Sequence, residues 1–195
     1  MRERAKTAAF WIATAVVSPQ LASYWIRSRI LGRDRALEGS TELLSLFPGV
    51  LGQYLRRAFL SRILADFHPS VTVEFGTTFS KVGARLGENV YVGPRCHLGL
   101  VDIERNVLIG AGVHVPSGPQ THGSTDPSRP IREQPGDLRV VKIAEGAWIG
   151  SASTVLADVG RDSIVAAGAV VTKAVPERVV AGGVPAQVLR SRESA

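Results

Sequence analysis

From residue 71 onward, aliphatic side chains return at a fixed interval. Leu86, Val92, Leu98, Ile103, Ile109 and Val115 are spaced 6, 6, 5, 6 and 6, and after a break Ile143, Ile149, Val155, Val165 and Val171 resume at 6, 6, 10 and 6. Most are followed by a small or acidic residue, as in LGENVY, VGPRCH, IGAGVH, IAEGAW and IGSAST. A helix repeats every three to four residues and a two-faced strand every second one, so neither accounts for the spacing. A period of six describes a solenoid of short flat strands in which one aliphatic side chain per unit points to the axis. The glycine that commonly follows supplies backbone freedom where the chain bends. The predicted class is mainly β, a parallel β-helix of hexapeptide repeats over residues 71–195.

Residues 1–70 lack the repeat and form a separate apolar and basic helical segment. Residues 7–26, TAAFWIATAVVSPQLASYWI, carry no charge, with Arg2, Arg4 and Lys6 before them and Arg27, Arg29 and Arg33 after. The run is just long enough to cross a bilayer. Pro19 and Gln20 interrupt it, however, and basic residues at both ends give no asymmetry to orient a span. The expectation is a membrane hairpin kinked at Ser18-Pro19 with both ends on the cytoplasmic side; a signal peptide and a helix that covers the core are the alternatives. Further on, Val50, Leu51, Tyr54, Leu55, Leu60 and Leu64 fall near helical spacing after Pro48-Gly49. They predict an amphipathic helix that caps the first coil and covers its open strand edge, with a lipid-facing role as the other reading.

Charge sharpens this division. Lys and Arg outnumber Asp and Glu by 23 to 17, but residues 1–70 hold ten basic and five acidic side chains, whereas residues 71–195 hold thirteen and twelve. The basic excess therefore belongs to the N-terminal third, which points to an anionic membrane surface and not to nucleic acid. Cys96 is the sole cysteine, so no internal disulfide forms. With no convincing cleavage site, this implies a reducing compartment. The expected location is cytoplasmic, peripheral on or anchored to the cytoplasmic face of the membrane.

The break in the repeat, residues 116–140, reads PSGPQTHGSTDPSRPIREQPGDLRV, with five prolines and three glycines. It has no apolar face to bury, so a functional loop is the better inference. Its histidine, His122, has the chemistry of a general base at neutral pH. Asp126 and Glu133 in the same loop are candidates to fix the imidazole tautomer, Glu133 first, with a backbone carbonyl as the alternative. His97 and His114 close their hexads and are expected on a prism face, where they would line an acceptor site. His68 precedes the repeat and reads as structural, and Cys96 as a packing residue.

Residues 71–190, most specifically VKIAEGAWIGSASTVLADVGRDSIVAAGAVVTKAVPERVVAGGVPAQVLR at 141–190, resemble the hexapeptide-repeat acyltransferases, the left-handed β-helix family that includes the maltose, galactoside and xenobiotic acetyltransferases. The resemblance implies three hexads per coil, a triangular prism, and a homotrimer with active sites between prisms. It implies acetyl-CoA as co-substrate, a sugar or lipid-linked saccharide hydroxyl as acceptor, and no metal. His122 matches the catalytic histidine. Trp148, Ser151 and Ala167 match positions that line the pantetheine groove, with the Ser151 N–H as oxyanion donor. Thr172, Lys173 and Arg190 match the nucleotide end, the AGGVPA turn returning Arg190 toward the same groove. Gln187 stands where the family often has a basic residue. Two other classes remain open on this scaffold: a γ-type zinc carbonic anhydrase using His97, His114 and His122, and a non-catalytic trimeric scaffold.

Overall fold

The structure, a computed structural model, describes residues 2–192, with side chains from residue 7 onward. The side chains of Arg2, Arg4 and Lys6, the basic flank expected before the apolar run, lie outside the described residues. Three helices, α1 (Arg2–Leu31), α2 (Arg33–Ser45) and α3 (Gly49–Ile63), lead into a left-handed parallel β-helix of about six turns.

Its strands stack into three faces. The first face holds β1 (Asp66–Phe67), β4 (Arg85–Leu86), β7 (Val101–Ile103) and β10 (Val141–Ile143). The second holds β2 (Thr72–Val73), β5 (Tyr91–Val92), β8 (Leu108–Ile109), β11 (Trp148–Ile149), β13 (Ile164–Val165) and β15 (Val179–Gly183), closed by antiparallel β16 (Ala186–Ser191). The third holds β3 (Thr78–Phe79), β6 (His97–Leu98), β9 (His114–Val115), β12 (Thr154–Val155) and β14 (Val170–Val171). The inward residue of every rung is buried, and these side chains together fill the prism.

The ladder starts at Phe67, ahead of residue 71, because Phe67, Val73 and Phe79 occupy inward positions at intervals of six that an aliphatic count passes over at its aromatic members. The gap of ten between Val155 and Val165 is also filled. Val159 bridges Ile143 and Val175 on the first face as a single-residue rung.

The corners depart from the simple expectation for glycine. The residue in left-handed conformation comes three places after the inward side chain: Asn89 (φ 57°), Asn106 (φ 60°), Ala152 (φ 59°) and Asp162 (φ 55°), with glycine at 146 and 168. Glycine directly after the aliphatic does something else. A Cβ on Gly150 would come within 2.5 Å of the Ala167 nitrogen, so this position is small because the next coil's backbone lies against it.

Hydrogen bonding along the prism is directional. Thr72, Tyr91 and Leu108 donate their N–H groups to Val90, Val107 and Ala147 on the following coil, each at 3.0 Å. The first coil thus has carbonyls with no coil behind them. The helices supply the missing donors. Arg56 Nε donates to Val73 O at 2.9 Å, Arg57 Nε to Val71 O at 3.1 Å, and Thr41 Oγ1 to Phe79 O at 3.2 Å. Arg56 also donates through Nη1 to Leu44 O in the last turn of α2 at 3.0 Å and to Phe47 O just beyond it at 2.8 Å. Burial pulls the Arg56 guanidinium below its ordinary value, and nearby Glu74 opposes this. The expected cap therefore exists, but α3 buries Leu55, Arg56, Phe59 and Leu60, while Val50 and Leu51 face outward.

The membrane hairpin expected at Ser18-Pro19 does not form. Helix α1 continues through Pro19, because Ala13, Val17 and Tyr24 on one side are packed against the core and keep the chain helical despite the lost N–H. No helix among the described residues is long and apolar enough to cross a membrane.

Arg56→Ala takes the donor from the buried Val73 carbonyl and removes the guanidinium bonds to Leu44 O and Phe47 O. It should cost about 3 kcal/mol, a fall in Tm of roughly 6–12 °C by thermal denaturation, and an unchanged Tm would contradict the docking role.

Candidate active site

The chain circuits the prism from first to second to third face, so each predicted residue has a definite place. Trp148 is on the second face, stacked between Leu108 and Ile164, and its side chain points outward with 48% exposure. Ser151 and Ala167 follow on successive coils at the edge between the second and third faces. There the Ala152 N–H donates to Ala111 O at 2.8 Å and the Gly168 N–H to Ser151 O at 2.9 Å. Ser151 Oγ accepts from the Ala111 N–H at 3.2 Å. The structure thus brings Trp148, Ser151 and Ala167 onto one strip.

Thr172 and Lys173 are exposed at the next edge, between the third and first faces, directly after β14. The excursion at 116–140 leaves from that same edge, after β9, and returns at β10. Its base is closed by the Arg139 N–H donating to Ser117 O at 2.8 Å. Above it Gln120 and Asp137 form an antiparallel bridge, with the Asp137 N–H on Gln120 O at 2.8 Å. His122 lies on this ribbon between two close approaches. A Cβ on Gly123 would meet Pro135 O at 2.6 Å, and one on Gly136 would meet Thr121 O more closely still. These glycines let the two arms touch and so fix the backbone on either side of the imidazole.

The far half of the loop is organised by Gln134, which is buried and went unremarked in the sequence because a lone glutamine among prolines carries no pattern. Its Nε2 donates to Asp126 O at 2.7 Å and Arg129 O at 3.0 Å, and its Oε1 accepts from the Asp126 N–H at 3.1 Å. Asp126 is engaged with Ser128, whose Oγ and N–H donate to it at 2.6 and 3.0 Å and hold its carboxyl below the usual range. Glu133 stands on a 3₁₀ turn (Ile131–Glu133), paired with exposed Arg132 at 3.9 Å. No hydrogen bond joins His122 to Asp126 or Glu133 among the described residues.

The third face separates the two edges, and it carries the histidine pair expected on a prism face. His97 Nδ1 is 2.9 Å from Thr78 Oγ1, and the His97 and His114 rings meet edge to face at 5.1 Å. Burial pushes the His97 imidazole below its ordinary value, the neighbouring His114 pushes it the same way, and Glu38 opposes both. Rings held in this way, one by Thr78 and the two by edge-to-face contact, give the third face a polar, hydrogen-bonding patch. Among the described residues no group of three or more His, Cys, Asp and Glu is placed to hold a metal ion. His68 Nδ1 pairs with Ser70 Oγ at 2.8 Å at the helical end of the prism. Cys96 is buried, its thiol pushed up by burial and directed at Gly110 O at 3.1 Å, as packing requires.

The AGGVPA turn does reverse the chain, pairing β16 with β15. It returns Arg190 opposite Val180 on the second face, whereas Lys173 is at the edge between third and first. Within one chain these two cations stand on different sides of the prism. The same holds for His122 and the Trp148 strip. In residues 119–138 every residue except Gln134 is exposed or half-buried, so the loop stands off the prism. No hydrogen bond or ion pair ties it to Trp148, Ser151 or Ala167 among the described residues. Within one chain the His122 loop and the Trp148 strip stand on different edges of the third face. A cavity of about 640 Å³ lined by Phe10, Tyr54, Arg57 and His68 lies elsewhere, between α1, α3 and the first coil.

Residues 83–116 and 140–173 match the family model described as the hexapeptide repeat of succinyl-transferase. The chain is 30% identical over 142 residues to WbbJ of Escherichia coli (strain K12), a protein named for O-acetyl transfer in lipopolysaccharide biosynthesis, covering 61% of this chain and 71% of that protein. It is 35% identical over 114 residues to the galactoside O-acetyltransferase of Lactococcus lactis, covering 53% of this chain and about half, 54%, of that enzyme. A galactoside acetyltransferase solved in complex with coenzyme A superimposes with a TM-score of 0.66 at 22% identity, over 82% of this chain and 81% of that one.

Because Gln134 organises only the loop, Gln134→Ala should raise amide exchange at Asp126 by at least tenfold while moving Tm by no more than about 2 °C. Unchanged exchange at Asp126, read by hydrogen–deuterium exchange, would contradict that assignment.

Proposed function

This chain belongs to the hexapeptide-repeat acyltransferase family, and on that premise we propose that it moves an acetyl group from acetyl-CoA to a hydroxyl of a sugar or lipid-linked saccharide precursor, working as a homotrimer. The observation that carries this reading is the division of the site. A loop imidazole stands off one prism edge, and a strip of exposed backbone beside Trp148 runs along another, so a neighbouring copy is what supplies the second wall of a groove. The acceptor class follows the names of the relatives, which concern a galactoside and lipopolysaccharide.

In this groove the thioester lies along Trp148, Ser151 and Ala167 of one chain, and His122 of the next approaches it. His122 takes the proton from the acceptor hydroxyl as its oxygen bonds to the thioester carbonyl carbon. The tetrahedral oxyanion accepts a hydrogen bond from the Ser151 N–H. Collapse breaks the carbon–sulfur bond, and the imidazolium returns its proton to the departing thiolate. The products are the O-acetyl ester and coenzyme A, with no covalent enzyme intermediate. Of the two loop carboxylates, Asp126 is engaged with Ser128, so Glu133 is the first choice to orient the second ring nitrogen, with a backbone carbonyl as the alternative. Thr172, Lys173 and Arg190 serve the nucleotide end, the two cations drawn from different faces meeting its phosphates.

His122→Ala should lower kcat by about 10²- to 10⁴-fold in a thiol-release assay with acetyl-CoA and a saccharide acceptor, with the trimer intact by light scattering. Full turnover in this variant would overturn the assignment, and no thiol release from wild type with any acceptor would overturn the reaction class.

A further inference from the structure

Helix α1 is apolar on both sides, and only one side is used. Ala13, Val17 and Tyr24 are buried against the core. On another side Ile12 (66% exposed), Val16, Ile26 (65%) and Ile30 (76%) recur at intervals of four, ten and four, a helical stripe that none of the described residues covers. Trp11 and Trp25 flank it, each about half exposed or more. At its C-terminal end come Arg29, Arg33 and Arg35, all exposed.

We propose that this face docks flat on an anionic lipid bilayer, with the isoleucine stripe at the acyl boundary, the two tryptophans at headgroup level, and the three arginines on lipid phosphates. Three observations select this occupant and orientation. The other side of α1 is committed to packing on α2 and α3, so the helix lies along a surface and does not pass through it. Tryptophan beside an aliphatic stripe suits a boundary that is apolar below and wet above. Residues 1–70 carry ten basic against five acidic groups, which attracts anionic headgroups and disfavours pairing this face with a second copy of itself. The surface is independent of the acetyl-transfer reading. Docking there would hold the enzyme at a membrane whatever its acceptor.

The test is flotation of the full-length protein with phosphatidylcholine vesicles, with and without about one-third phosphatidylglycerol. Wild type should float with the anionic vesicles and lose most of that binding in pure phosphatidylcholine or high salt. Ile12→Asp/Ile26→Asp should abolish flotation without lowering Tm, since both side chains are exposed. Should that variant unfold, Arg29→Ala/Arg33→Ala/Arg35→Ala decides, with partitioning expected to fall about fivefold per arginine removed. Failure of wild type to float, or flotation unaffected by removing the arginines, would overturn the proposal. So would sedimentation showing that the stripe joins two copies in the absence of lipid, with Ile12→Asp/Ile26→Asp separating them.

Discussion

A coil in this protein satisfies its backbone only through the coils before and after it. Since the strand N–H groups donate forward and only corner residues donate back, the first coil is left with strand carbonyls that no coil pairs. Such groups cannot stay buried without donors. That requirement explains why a guanidinium, 2% exposed, is at the heart of the joint between helices and prism. Arg56 reaches the Val73 carbonyl on one side and the end of α2 on the other, so one side chain both closes the solenoid and fixes the cap. At the far end β16 folds back on β15 and covers the opposite edge.

The same constraint decides where chemistry can be. The prism interior is filled by inward aliphatic and aromatic side chains and has no room for a substrate. What remains are the outward positions of flat faces, the exposed backbone of the corners, and any segment that leaves the repeat. All of the residues assigned to the site belong to one of these classes. The loop that carries His122 and the strip that carries Trp148, Ser151 and Ala167 belong to different edges of the third face, and no hydrogen bond joins them among the described residues. The proposed sharing of the site between two prisms rests on that separation.

The period of six made the β-helix legible, since one inward residue per rung is a strong and regular signal. The excursion was legible as well, because proline and glycine have no place in a stacked rung. What the sequence concealed has physical reasons. Phe67 and Phe79 hold inward places but do not look like the aliphatic repeat, and Val159 does the work of a whole rung alone. Arg56 reads as a surface cation on an amphipathic helix, and only the orphaned carbonyls explain its burial. Proline within an apolar run suggested a hairpin, but the packing of Ala13, Val17 and Tyr24 keeps one helix running through it. Gln134 acts through three hydrogen bonds to backbone, which no spacing rule detects.

The central claim is that each working site draws its imidazole from one chain and its thioester groove from the next. It is tested most directly by mixing two inactive variants, His122→Ala and Ala167→Trp, under conditions that exchange subunits. Shared sites predict recovery to about a quarter of the native rate, because random assembly pairs an intact histidine with an intact groove at one site in four. Trimers that exchange subunits and stay inactive would show that each chain works alone, and would contradict the account.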